Sequence, residues 1–526
     1  MFEYMQRKKY ILFFLFVFMF WIIFQILFPK SMSTGDSGAL ISYSKLISEE
    51  MTLLTKNYYY PTELRFLWVS NIYAPLFYIF NNYDYVRLFA NIILYAILLT
   101  SFILLIRQYN IDVQYAFLAM AVFLIPISNH YLYIGIISSF YLVYYILSIL
   151  LFALLIGLVH SDTKKWLYLT AYIILTFMYS LNGIRALINV FVPLFLSCTA
   201  LYILERFVFK VKMKLNIIWY SMLGLAVSML GYFISDHFLR DIVHYVDYTQ
   251  SRWYSFDITQ EKIINIVSMI KPLLSIYYWG DFVSVISNIG IILLVFLFFY
   301  MIYYIFKNSN NIYIRLLLLF FIISFLEQIA LAVIFNAYKP RYLYPVTIFI
   351  PAIVAVYVYI TKDIKIHRSL ILIFVGALFI HGSAVVINTF SEDRHKKQNY
   401  FIYVPPNKEQ FKSIIEFLDN NKINFGYSLY SEAHLLGELS NGRIEGGGIR
   451  ISKCEFYPMK WDTLAKYYER TNIQDNIYFM ITNKINDECQ QSNKLLKDKK
   501  YDYRDNKYTL YIIQKEAVLD YLKITK

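Results

Sequence analysis

The 526-residue chain reads as a mainly α protein, a polytopic transmembrane helical bundle of about eleven spans with a C-terminal extracytoplasmic α/β domain. Three observations lead there. The chain is 59% hydrophobic and only 16% charged, with a mean hydropathy of +0.48, which sets it apart from soluble proteins of this size. Its apolar residues gather into runs long enough to cross a hydrocarbon core of ~30 Å at ~1.5 Å per residue. After residue 391 these runs stop, and shorter segments with helical and strand periods take over. The expected domains are therefore 1–390, membrane-spanning with a structured first extracytoplasmic loop over 29–85, and 391–526, a small α/β domain with its own core.

The apolar runs fall at 11–28, 86–106, 114–127, 140–159, 166–179, 186–207, 215–234, 282–306, 314–335, 343–360 and 369–387, the third and fifth being short. The first is too long and too aromatic for a signal-peptide core, and no small-residue cleavage site follows it, so it counts as a span. Basic residues mark alternate short loops: Arg7 to Lys9, Arg107, Lys164 with Lys165, Arg206 to Lys214, Lys307 with Arg315, and Lys362 to Arg368. Such loops are retained in the cytoplasm, which makes this a multi-pass protein of the cell (plasma or inner) membrane, with its N-terminus inside and residues 391–526 outside. The formal charge of +13 follows the same logic, because residues 391–526 carry 22 basic against 19 acidic residues and most of the excess lies in the membrane part. That distribution points to membrane lipids and away from nucleic acid.

Within the first loop, residues 41–50 repeat apolar side chains at helical spacing and predict a short helix along the membrane surface. Residues 71–80 predict a second helix or a re-entrant piece. In the 235–281 loop, Trp253, Tyr254, Tyr277, Tyr278 and Trp279 suit the headgroup zone, as interfacial anchors or as flanks of a lipid path. Beyond 391, helices are expected at 409–421 and 431–439 and strands at 423–429, 477–482 and 509–514. Gly446, Gly447 and Gly448 lack the spacing of a nucleotide loop and read as flexible backbone. Cys198 lies in an apolar run, while Cys454 and Cys489 read equally as a disulfide or as two free thiols.

The candidate chemistry centres on Asp36, flanked by Gly35 and Gly38 just past the first span, where a carboxylate meets both a lipid-borne and a water-borne substrate. It reads as a catalytic base, since a carboxylate with a reference pKa of ~3.9 is ionised at neutral pH. The competing reading is a helix stop followed by a turn. Arg341 and Lys339 at the head of one span, and Arg185 at the head of another, offer cations for a phosphate or for headgroup contact. Glu327 lies inside a span, where a carboxylate is costly to desolvate, and serves either a site or a helix pairing. Glu63, His130, Asp236 and His237 near the outer boundary, with Tyr342 beside Arg341, are candidates for orienting an acceptor or for a structural role. No His, Cys and Asp group has zinc-ligand spacing, and no phosphate loop or nucleophile elbow is present.

Three stretches resemble the GT-C superfamily of membrane glycosyltransferases, in particular bacterial relatives of protein O-mannosyltransferases (glycosyltransferase family 39-like). They are Thr34-Gly35-Asp36 in a long first loop, Lys339-Pro340-Arg341-Tyr342-Leu343-Tyr344-Pro345 entering a late span, and Gly426-Tyr427-x-x-Tyr430-x-x-Ala433-x-x-Leu436-x-x-Leu439-x-x-Gly442-Arg443. The resemblance implies a GT-C-like bundle that transfers a hexosyl or pentosyl group, with inversion, from a polyprenyl-phosphate sugar to a glycan, lipid or protein acceptor of the envelope. Asp36 would then be the general base, and Arg341, Lys339 and Arg185 would hold the lipid phosphate. The family commonly carries two adjacent acids in the first loop, whereas Ser37 stands at the second position here. A divalent metal therefore has no second acidic residue beside Asp36 to support it, and no cofactor is assigned. Two other readings stand beside this one: an O-antigen-type polymerase or ligase acting on the same face, and a lipid or polysaccharide transporter, which would need a polar path across the membrane.

Overall fold

The computed structural model describes residues 8–27, 33–61, 63–137, 140–161, 163–210, 215–246, 259–274, 282–390, 408–469 and 475–524. The chain divides into two compact units. One comprises Met1–Ile26, Asn91–Asp236 and Ser251–Val404; the other comprises Leu27–Ala90, His237–Gln250 and Pro405–Lys526. The first loop is thus grouped with the C-terminal region, so the division in space differs from a cut of the sequence near residue 390.

Among the described residues, nine helices are long and apolar enough to cross a membrane: Lys9–Leu27, Tyr83–Gln108, Leu142–His160, Leu187–Val208, Asn216–Leu239, Ser284–Asn308, Ile312–Ile334, Pro340–Ile360 and Lys365–Ile387. This is a multi-pass membrane protein. The two short runs also fold as helices, Gln114–Leu124 and Lys165–Ser180, but fall below spanning length. Burial separates inner from outer helices. Leu142–His160 is buried on nearly every side, whereas Lys9–Leu27 exposes Leu12, Phe16, Met19 and Ile23 to what would be lipid. Lys165–Ser180 is held by a seam of small residues on its neighbour, with Ser221, Gly224, Ser228 and Gly231 all buried. Ser180 donates to the Ser228 hydroxyl at 2.7 Å, and a Cβ on Gly231 would meet Ser180 Cβ at 2.8 Å. Close approach of this kind replaces the hydrophobic drive that helices lack in lipid.

The second unit is built on strands β1 (Tyr58–Tyr60), β2 (His244–Tyr245), β3 (Phe425–Leu429), β4 (Glu445–Ser452), β5 (Glu455–Pro458), β6 (Thr463–Leu464), β7 (Asn476–Thr482), β8 (Tyr503–Arg504) and β9 (Tyr508–Gln514). Six form a mixed sheet in the order β5-β4-β3-β7-β9-β8, with β3 parallel to both β4 and β7 and the remaining pairs antiparallel. The period-2 alternation of β7 sorts its side chains between two cores. Ile477, Phe479 and Ile481 join Tyr43, Ile47, Tyr58 and Tyr60 of the first loop, while Tyr478 and Met480 pack with Phe411, Leu418 and Leu436 of helices Lys408–Asn420 and Tyr430–Leu439. The first loop therefore supplies one of the two layers that cover this sheet. A small second sheet, β2-β1-β6, ties three distant parts of the chain together.

The expected helices and strands of the C-terminal region are present, each within about two residues of its expected bounds. The glycine triplet is not a loose loop but the start of β4, paired in register with β3 from Phe425 to Leu429. Its glycines make room for rings: a Cβ on Gly447 would meet Tyr427 Cε1 at 2.6 Å, and one on Gly446 would clash with the Tyr478 hydroxyl. Cys454 and Cys489 form a disulfide, with Cα atoms 5.1 Å apart. The five aromatic residues singled out at 253, 254 and 277–279 lie outside the described residues.

Candidate functional site

Asp36 occupies the first turn of helix Gly35–Glu50, so the stretch around it begins a helix; it is neither a helix stop nor a turn. Thr34 and Ser37 close a reciprocal capping box, the Ser37 amide donating to Thr34 Oγ1 at 2.9 Å and the Thr34 amide to Ser37 Oγ at 2.7 Å. The two glycines serve packing. A Cβ on Gly35 would lie 2.8 Å from Ser431 Cα, and one on Gly38 would run into the His434 carbonyl, so this helix crosses Tyr430–Leu439 almost backbone to backbone. Asp36 keeps part of its surface exposed while both glycines are buried. Ser37, at the position of the expected second acid, donates at 2.8 Å to Glu438, and Glu438 pairs with Arg87. Glu438 is itself buried.

Next to Asp36 lies a cluster that the sequence did not reveal. The Arg65 guanidinium donates to Asp462 Oδ2 at 2.6 Å, with the two side chains only 2% and 4% exposed. Tyr58 donates to Asp462 Oδ1 at 2.5 Å, and Tyr430 donates to Oδ2 at 3.2 Å. Arg65 and Asp462 both hold left-handed backbone, with φ of 59° and 53°. A non-glycine residue in that region costs about 1–3 kcal/mol, and such residues gather at functional sites. Burial works against the Arg65 charge, but Asp462 overrides it and raises the guanidinium pKa above its ordinary value. Burial, then the Asp462 and Asp36 carboxylates, push the Tyr430 phenol well above its usual range, so it stays a proton donor to its partners. His434 is 3% exposed, and its ring lies 4.6 Å from that of Tyr430 in an edge-on arrangement. Burial lowers its pKa to about 4, which keeps the imidazole neutral at physiological pH. Glu63 is buried in the same unit, two residues from Arg65.

In the membrane unit, Arg341 and Tyr342 sit in the 3₁₀ turn Pro340–Leu343 that opens the late span, and Lys339 just before it is exposed. Arg185 follows Gly183, whose φ of 126° turns the chain between two helices. The fold brings Arg185 and Arg341 to one ring, their guanidinium carbons lying 6.0 and 5.8 Å from the Tyr342 centroid. Arg185 also lies 5.9 Å from the ring of Tyr144, which is fully buried. Glu327 is half-buried in helix Ile312–Ile334, and its Oε2 has no hydrogen-bond partner among the described residues. His130 belongs to the single turn Asn129–Tyr131, and its side chain lies outside the described residues. Asp236 and His237 fall in the π-helical turn Ser235–Leu239.

Among the described residues no group of three or more His, Cys, Asp or Glu side chains is placed to hold a metal ion. No protein-family model matches the chain, and no curated protein matches it.

Proposed function

We propose that this chain is a membrane glycosyltransferase that moves a sugar from a polyprenyl-phosphate donor to a hydroxyl of an envelope glycan, lipid or protein on the extracytoplasmic face. The observation that carries the reading is the convergence of Arg185 and Arg341 on Tyr342 at the head of a span. Two forked, permanently charged donors at the boundary of a membrane unit suit the oxygens of a lipid-borne phosphate. Asp36 supports the other half of the chemistry, because it is partly exposed at a helix N-terminus and has a fixed backbone.

In the proposed step the acceptor oxygen attacks the anomeric carbon and its proton passes to the Asp36 carboxylate. The bond from that carbon to the phosphate oxygen breaks, its electron pair stays with the phosphate, and configuration inverts. The disulfide between Cys454 and Cys489 and the alternation of basic loops support an extracytoplasmic position for the reaction.

Transfer from a radiolabelled polyprenyl-phosphate sugar into endogenous acceptor, in membranes with matched protein levels, tests the reading. Asp36→Asn keeps size and much of the hydrogen bonding but removes the proton acceptor, so transfer should fall by about 10²–10⁴-fold while donor binding survives. Arg341→Ala should weaken donor binding and also slow transfer, because the cation serves both ground state and leaving group. Wild-type transfer by Asp36→Asn would overturn the assignment of the base.

A further inference from the structure

We infer that Tyr430 and Trp461, beside Asp36, form the subsite for the acceptor, and that the group docking there is a carbohydrate ring. The inference rests on the reading of Asp36 as the base. The two rings lie 5.4 Å apart at a tilt of 53°, and both are only half-buried. Beside them stand groups that hydrogen-bond: the Asp36 carboxylate, whose charge acts on the Tyr430 phenol, and the Tyr430 hydroxyl itself, which donates to Asp462. Aromatic faces bordered by a few fixed polar groups match a sugar, whose C–H face is apolar and whose rim is hydroxyl.

The presentation is rigid. The Met459 amide donates to Gly448 O at 2.8 Å, the Tyr468 hydroxyl donates to Met459 O at 2.9 Å, and the Trp461 amide donates back to Met459 O at 2.8 Å. Asp462, next in the chain, is locked by Arg65, Tyr58 and Tyr430. A platform held in this way loses little freedom when a ligand arrives. A second observation points to a ligand. His434 Nε2, on the helix that carries Tyr430, and Trp461 Nε1 are buried with no hydrogen-bond partner among the described residues. Polar atoms left in that state are costly, and sugar hydroxyls would satisfy them.

The test uses the full-length protein in detergent, with maltotriose, mannotriose and chitotriose as probes and a Ser/Thr-rich peptide as the contrasting acceptor. Binding is read by saturation-transfer NMR and tryptophan fluorescence, with no donor present. At least one trisaccharide should bind at millimolar concentration or tighter, and Trp461→Leu should weaken it about tenfold or more. Trp461→Phe, which keeps an aromatic face but loses Nε1, should bind between wild type and Trp461→Leu and thereby exclude a folding defect. Binding of no trisaccharide, binding of the peptide alone, or unchanged affinity in Trp461→Leu overturns the proposal. Because no transfer is measured, sugar binding without transferase activity would sink the proposed function and leave this site standing. Transfer abolished by Asp36→Asn, with no sugar bound at Trp461, would do the reverse.

Discussion

His434 shows how much one buried residue sets the electrostatics of this unit. Its imidazole is driven toward the neutral form, to a pKa of about 4, chiefly by burial. In the unfolded chain the same group titrates near ~6.5. The unfolded state therefore binds the extra proton first as pH falls. Stability is fully present above about 6.5 and is lost as pH drops through the window down to about 4, by an amount on the order of 3 kcal/mol. Thermal midpoints of the wild type in detergent should fall across that window, and His434→Phe should show a shallower slope. Parallel slopes would mean that the buried imidazole is not the group responsible. The same residue marks the limit of sequence reasoning. Asp36, Arg341 and Arg185 were legible because each sits at the edge of an apolar run, where a charge stands out. Arg65, Asp462 and His434 carry no such local signal: Arg65 and Asp462 take their meaning from each other, 397 positions apart, and His434 from the burial that the fold imposes on it.

At the level of elements, the crossing of helices Gly35–Glu50 and Tyr430–Leu439 tolerates no added atom. A methyl group on Gly38 would meet the His434 carbonyl, which is backbone and unable to swing aside. Gly38→Ala should therefore destabilise this unit by about 2–3 kcal/mol, against the small gain that alanine normally brings inside a helix. Gly376→Ala is the control, because nothing lies within 4 Å of its added Cβ. A melting point lowered by roughly 5–10 °C for the first and unchanged for the second checks the claim. The helices and strands themselves were readable from their apolar runs: β7 is a short one, Ile477 to Ile481, buried on both faces, and the long spans are uniformly apolar. The glycine triplet was not, because glycine looks alike in a loose loop and in a strand over which tyrosine rings lie.

For the molecule as a whole, the expectation from the alternation of basic loops is that the Lys362–Arg368 turn lies inside the cell and residues 391–526 outside. Asp363 and Lys494 are both exposed, so single cysteines there report sidedness directly. A membrane-impermeant maleimide should label Lys494→Cys in intact cells and Asp363→Cys only after permeabilisation; the opposite pattern would invert the topology and move the proposed chemistry to the other face. The eleven apolar runs gave the bundle its outline, yet nothing in them signalled that the first loop belongs with the end of the chain. That partnership has a consequence in time. A ribosome adding about 5–20 residues per second makes Arg65 roughly 20–80 s before it makes Asp462, 397 positions later. Throughout that interval the tyrosines of β1 have neither β6 to pair with nor a sheet to pack on. The first loop, although it is the earliest part of this unit to be synthesised, is among the last to find its final shape, and the cell must shelter its aromatic surface until the rest of the chain arrives.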